Sequence, residues 1–159
     1  MAAKNAEALR ILCDKIKYRE IDKFYLAAVH GTPNPPEAIL EGYLQKNEDK
    51  NIVFVQKNKS DENRMIRTKY KVLKSIEDSS LIEVELLTGR THQIRVHMAH
   101  IGHPVAGDDV YGPKKVITAL NGQCLHARKI GFIHPVSKEY LEFETKLPDY
   151  FENFLKGKR

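Results

Sequence analysis

Residues 86–112 read LLTGRTHQIRVHMAHIGHPVAGDDVYG, and they join a hydrophobic strand to a short helix and then to a glycine-rich loop. Gly89 ends the strand. Thr91 is a good N-cap, so the spacing predicts a helix from there to about Ile101. Ile94, Met98 and Ile101 fall on one face of that helix, which is read as the core face. Gly102 is a natural stop and Pro104 prevents the helix from resuming. His92 and Arg95 are three residues apart and share another face, so the helix is expected to carry a cationic side. With Arg90 in the preceding turn, two guanidinium groups stand near a helix N-terminus. This is either a phosphate- or carboxylate-binding arrangement or a solvated polar face with one structural ion pair. In GDDVYG, Asp108 and Asp109 are adjacent and point in different directions. A tight turn is expected, its carboxylates bonding backbone N–H groups or pairing with an arginine.

The segments around this stretch set the fold class. IRTKYKVLKSI alternates, with Ile66, Thr68, Tyr70 and Val72 on one face, and SSLIEVELLTG alternates with Ile82, Val84 and Leu86. A hairpin turn is predicted at Asp78-Ser79 between them. AILEGYLQK and NIVFVQK form a second predicted hairpin across residues 47–50, and KFYLAAV is a strand that ends at His30-Gly31. KIGFIH and EYLEFET are strands around the turn at 135–137. Ala8, Leu9, Leu12, Ile16 and Ile21 recur at helical spacing, so residues 4–17 are read as an amphipathic helix, and LPDYFENFLKG as a short final one. Strands outnumber helices, and short connections make neighbours antiparallel. The expected class is α+β, a mostly antiparallel mixed sheet with a few packed helices, with residues 1–159 as a single domain.

Composition narrows the function classes. The chain has 159 residues, of which 42% are hydrophobic and 30% charged, with a net charge of +5. That balance permits a polyanionic partner without requiring one. No run of 18 apolar residues is present, so no membrane role is expected. Cys13 and Cys124 are isolated from each other, which fits a reducing, cytoplasmic setting and no structural zinc. His97 and His100 are spaced i, i+3 on a helix, but no HExxH pattern accompanies them and no metal is expected. Tyr25 sits in a strand, where a tyrosine is more often core than site.

Taken together, these segments resemble a known family. The run LTGRTHQIRVHMAHIGHPVAGDDVYG is similar to the most distinctive segment of the RluA-type RNA pseudouridine synthases. KNAEALRILCDKIKYREIDKFYLAAVHG, IRTKYKVL and LHARKIGFIHPVSKEYLEFETKLPDYF resemble further parts of the same family in the same order, so the likeness covers nearly the whole chain. The resemblance implies isomerisation of uridine to pseudouridine in RNA: the N1 glycosidic bond breaks, the base turns, and it rejoins through C5, without a cofactor. It implies that Tyr25 stacks on the target base and that Arg95 pairs with the catalytic carboxylate. It also makes Arg90, His92 and Gln93 candidates for contacts to RNA or to the catalytic loop.

In the family that carboxylate belongs to an aspartate in an HRLDxxTSG motif, and HRLD occurs nowhere in these 159 residues. The chain is therefore expected to be the C-terminal portion of such a catalytic domain, truncated at its N-terminus and inactive as it stands. The alternative is a non-catalytic RNA-binding module derived from the same fold. The expected partner is RNA, either rRNA or tRNA, with self-association possible through an exposed sheet edge. Lacking the aspartate, Arg95 is expected to swing to solvent, pair with another acid such as Asp108, or bind an anion. Arg95→Met is accordingly expected to be neutral or mildly stabilising.

Overall fold

The computed structural model describes residues 2–47, 52–113, 120 and 122–157. In chain order these form α1 (Ala6–Lys17), β1 (Ile21–His30), β2 (Glu37–Asn47), β3 (Ile52–Gln56), β4 (Arg64–Ile76), β5 (Ser79–Leu86), α2 (Gln93–His100), β6 (Leu125–Ile133), β7 (Tyr140–Glu144) and α3 (Asp149–Leu155). The strands make one seven-stranded sheet in the order β3-β2-β4-β5-β1-β6-β7. Every pairing in it is antiparallel. This is the α+β class expected from the pattern. Among the described residues β3 and β7 are the outer strands, so the sheet has open edges on both sides.

Alternation along the strands builds two cores. On one face Ala27 and Val29 of β1 meet Ile82 and Val84 of β5, Tyr70 of β4, and Ile94 and Met98 of α2. Residues of opposite parity, Leu26 and Ala28, face the other way and pack with Ala106, Cys124, and Phe151 and Phe154 of α3. The predicted inward set on β4 holds: Ile66 and Thr68 are fully buried, Tyr70 nearly so, and Val72 half-buried. Asn5 caps α1 by accepting a hydrogen bond from the Ala8 N–H at 2.8 Å, and Leu12 anchors that helix on Ile21 and Phe132.

Two expectations need correction, and a third lies largely outside the described residues. The β4–β5 turn is at Glu77-Asp78, one residue earlier than predicted, and Glu77 takes a positive φ of 42°. The turn predicted at 47–50 falls largely on residues 48–50, outside the described residues, although β2 and β3 do pair from Asn47 and Ile52. Thr91 does not cap α2. The residue before the helix is His92, in the left-handed region with φ 56° and no side-chain cap hydrogen bond. The end of α2 is as expected: Gly102 has φ 85°, its N–H bonds the Ala99 carbonyl, and the His103 N–H bonds Met98.

The cationic outer face expected for α2 is also absent. Residues from Gln93 through Met98 are all buried. The sheet covers one side of the helix, and the turn around Asp108 closes over another. A helix enclosed in this way must satisfy its polar side chains inside the protein, and these internal bonds shape the site.

Candidate functional site

Arg95 is held by the turn that follows it. Its Nε donates to Asp108 Oδ2 and its Nη2 to Asp108 Oδ1, each at 2.7 Å. The pair is almost fully dry, with side-chain exposures of 8% for Arg95 and 0% for Asp108. Asp108 Oδ1 also accepts the N–H groups of Val110 at 3.0 Å and Tyr111 at 2.9 Å. Burial alone raises the Asp108 carboxyl pKa, but the bonds from Arg95 and from these two N–H groups outweigh it and hold the pKa below the usual value. The hydrogen bond from Arg95 to Asp108 likewise raises the guanidinium pKa, against the opposing effect of burial. The Tyr111 ring lies 5.1 Å from the Arg95 guanidinium carbon. Of the outcomes expected for Arg95, pairing with Asp108 is the one observed, and the neutral Arg95→Met is withdrawn. The turn itself, with carboxylates bonding N–H groups and an arginine, is as GDDVYG predicts. Arg95 Nη1 makes no hydrogen bond among the described residues.

Gln93 is a brace. Its amide donates to the Arg67 carbonyl and to Thr68 Oγ1, both at 2.9 Å, while its oxygen accepts from Thr88 Oγ1 at 2.8 Å and from the Arg90 N–H at 3.2 Å. All four bonding positions of the amide are used inside the protein. The RNA contact expected of Gln93 therefore narrows to holding the turn that presents Arg90. This brace also replaces the missing Thr91 cap, since it satisfies an N–H three residues before the helix begins.

His92 keeps its left-handed backbone, a conformation that costs a non-glycine residue about 1–2 kcal/mol, because its ring is clamped. Its Nδ1 is 3.1 Å from the Tyr111 hydroxyl, and the two rings meet edge to face at 5.7 Å. The same hydroxyl accepts the Val53 N–H at 3.1 Å. With that bond made, the phenol O–H is placed to donate to His92 Nδ1, which assigns the neutral ring's N–H to Nε2. Arg90 is exposed, and its guanidinium has no partner among the described residues.

These residues meet in space. A cleft of about 190 Å³ is lined by Tyr25, Leu86, Arg90, His92, Gln93, Ile94, Arg95, Gln123 and Leu125. All five residues singled out from the sequence are in that lining. Drug-sized ligands occupy roughly 300–1,000 Å³, so this space suits a single flat ring. Tyr25 is half-buried, its hydroxyl makes no hydrogen bond among the described residues, and burial pushes its pKa up, so it stays a neutral phenol. None of the described residues lining the cleft is an acid. The cleft offers an aromatic ring and unspent cationic N–H groups, a receptor for a planar group and an anion. No group of His, Cys, Asp and Glu suited to a metal ion is present among the described residues. The sequence reading missed Leu86, Ile94, Gln123 and Leu125 as lining. Tyr111, which orients His92 and stacks against Arg95, was visible only as part of GDDVYG.

Comparison with known proteins shows the family. The model of the RNA pseudouridylate synthase family matches residues 1–100. The RNA pseudouridine synthase YlyB of Bacillus subtilis is 38% identical over 160 residues, covering 100% of this chain and 51% of that protein. Ribosomal large subunit pseudouridine synthase C of Vibrio parahaemolyticus is 36% identical over 165 residues, again 100% and 51%. Human RNA pseudouridylate synthase domain containing 1 superposes with a TM-score of 0.77 at 27% identity, over 96% of this chain and 64% of that one. The chain thus spans about half the length of the curated relatives it matches. By sequence along most of its length, and by a fold shared with solved members, the chain belongs to the RNA pseudouridylate synthase family.

Proposed function

We propose that this chain forms one wall of an RNA pseudouridine synthase active site, in which uridine in RNA is isomerised to pseudouridine. The observation that carries this reading is the convergence of Tyr25, Arg90, His92 and Arg95 on one ring-sized cleft. In this reading Tyr25 is the platform on which the target base stacks. A base that is detached, turned and rejoined needs a support that grips it without direction, and a neutral aromatic ring meets that need. Asp108 fixes the Arg95 guanidinium, which turns its Nη1 edge to the cleft to orient an incoming carboxylate. Arg90 and His92 contact the RNA, and Gln93 positions them. The relative named for the ribosomal large subunit supports ribosomal RNA as the substrate class. The non-catalytic alternative has no observation in its favour.

Binding of a fluorescent single-stranded RNA containing uridine tests the reading. The chain is expected to bind, with log Kd rising linearly with log salt concentration. Arg90→Ala should weaken binding and reduce the salt slope by about one unit, as the loss of one phosphate contact implies. Tyr25→Ala should cost about 1–3 kcal/mol, the size of one base–aromatic stack, and leave the slope unchanged. Salt-independent binding, or no binding at low salt, would overturn the reading. Because no HRLD aspartate is among these residues, RNA from a synthase-deficient strain should gain no pseudouridine when incubated with the 159-residue chain. New sites would mean that a carboxylate already present serves, with Asp108 and Asp109 the first to test.

A further inference from the structure

The ring-sized cleft has neighbours on both sides. On one side it shares Gln123 and Leu125 with a cleft whose charged lining residue is Asp109. On the other it shares Arg90 and His92 with a cleft of about 420 Å³, lined by Leu44, Lys46, Val53, Glu62, Arg64, Arg90, Thr91 and His92. The second neighbour differs in three respects. Its floor is apolar, from Leu44 and Val53. Among the described residues its charged lining holds Lys46, Arg64 and Arg90 with Glu62. It is separated from the ring-sized cleft only by the ridge of residues 90–92, which is held sharply bent by the left-handed His92 and its bond to Tyr111. A strand of RNA leaving the ring-sized cleft past Arg90 meets an acid without a lining cation, Asp109, on one side, and on the other Arg64 with Glu62. Coulomb attraction therefore selects the Arg64 side.

We propose that this larger cleft is a second nucleotide subsite, which takes the nucleotide adjacent to the target uridine in the same single strand. The base lies on Leu44 and Val53, and the phosphate linking it to the target is bridged between Arg90 and Arg64. Arg64 is prepared for the role, because its Nη1 is anchored on the carbonyls of Asp61 and Asn63 at 2.9 and 3.0 Å while it has no acidic partner among the described residues. Glu62 also lacks a partner among them and opposes the phosphate. The proposal rests on the reading of the ring-sized cleft as a uridine site.

Calorimetric titration of the chain with the nucleoside uridine, which carries no phosphate, and with a five-nucleotide RNA carrying one central uridine separates the two. Arg64→Ala should weaken pentanucleotide binding about tenfold, the size of a charge-assisted contact, and leave uridine binding unchanged. Arg64→Lys, which keeps the charge, should recover most of the loss. Glu62→Gln, an exposed change with no bond to break, should tighten pentanucleotide binding severalfold. Arg10→Ala on α1, outside both clefts, should change either affinity less than twofold. If the Arg64 and Glu62 variants bind the pentanucleotide like the parent while Tyr25→Ala weakens it, the subsite is wrong and the uridine site stands. Equal weakening of both ligands by Arg64→Ala also overturns the subsite. If the parent binds neither ligand, the uridine site and the subsite fall together.

Discussion

Asp108→Ala is expected to lower the unfolding free energy by about 3–5 kcal/mol, the range for removing one partner of a buried ion pair. For a domain of this size that is a fall of roughly 6–20 °C in melting temperature. The change leaves the Arg95 guanidinium, 8% exposed, without its two carboxylate bonds, and a guanidinium cannot neutralise itself by losing a proton. It also orphans the Val110 and Tyr111 N–H groups that shape the turn. Arg95→Met should cost less, because the stranded Asp108 keeps those two N–H bonds and can take up a proton. The double variant should cost less than the two single losses added together, since the second change removes the charge the first left unpaired. Urea unfolding at pH 7 measures all three. A loss below about 1 kcal/mol for Asp108→Ala, the value of an exposed pair, would mean that water reaches Arg95. The pH dependence follows from the depressed folded pKa. This contribution is fully present above the unfolded aspartate value of about 3.9 and is lost as pH falls through the folded value.

How far the sequence reading reached depended on whether a feature was local. Alternation put Ile66, Thr68, Tyr70, Ile82 and Val84 on the buried face because strand periodicity is set by adjacent residues alone. GDDVYG announced its own turn, and Asp108 took an arginine because a carboxylate fixed by backbone N–H groups in a dry place needs a cation. The arginine was found, but its face was misjudged. Helical spacing separates one side of a helix from the other, yet α2 is enclosed by the sheet and by a loop that follows it in sequence, so Arg95 and His97 are buried along with Ile94 and Met98. The cap failed for a related reason. Thr91 fits the local preference, but Gln93 reaches four partners, including Thr68 and Arg67 on β4, and that long-range network dictates the backbone of residues 90–92. Tyr25 is the opposite case. Nothing in its strand distinguishes it from a core tyrosine. Family resemblance pointed to it, and its place beside Arg90 and Arg95 requires β1 and the turn after β5 to be brought together.

His97 should make this protein lose stability in mild acid. The ring is 1% exposed. Its Nδ1 lies 2.8 Å from Thr68 Oγ1, and its Nε2 is buried with no hydrogen-bond partner. Thr68 Oγ1 accepts from the Gln93 amide; with its own proton given to His97 Nδ1, the single N–H of the neutral ring sits on the unpartnered Nε2. A charged ring would have to donate from both nitrogens, displace the Thr68 proton and give up its hydration inside the protein. Burial, and secondarily the charge of His100, lower the His97 pKa from 6.5 to about 4. Between those two values the unfolded chain binds a proton that the folded chain refuses, so stability rises with pH across the window and is lost as pH falls through it. A displacement of that size corresponds to roughly 3 kcal/mol, and the loss is complete by about pH 4, just as the Asp108 contribution begins to fail. His97→Asn tests the assignment, because its Oδ1 can accept from Thr68 in place of Nδ1 and nothing in the amide titrates. The variant should be less stable than the parent at pH 7, where it leaves a small void, and should show little change between pH 6.5 and 4 while the parent falls. If both proteins lose stability along parallel curves, the acid sensitivity belongs to another group and His97 is not the buried base.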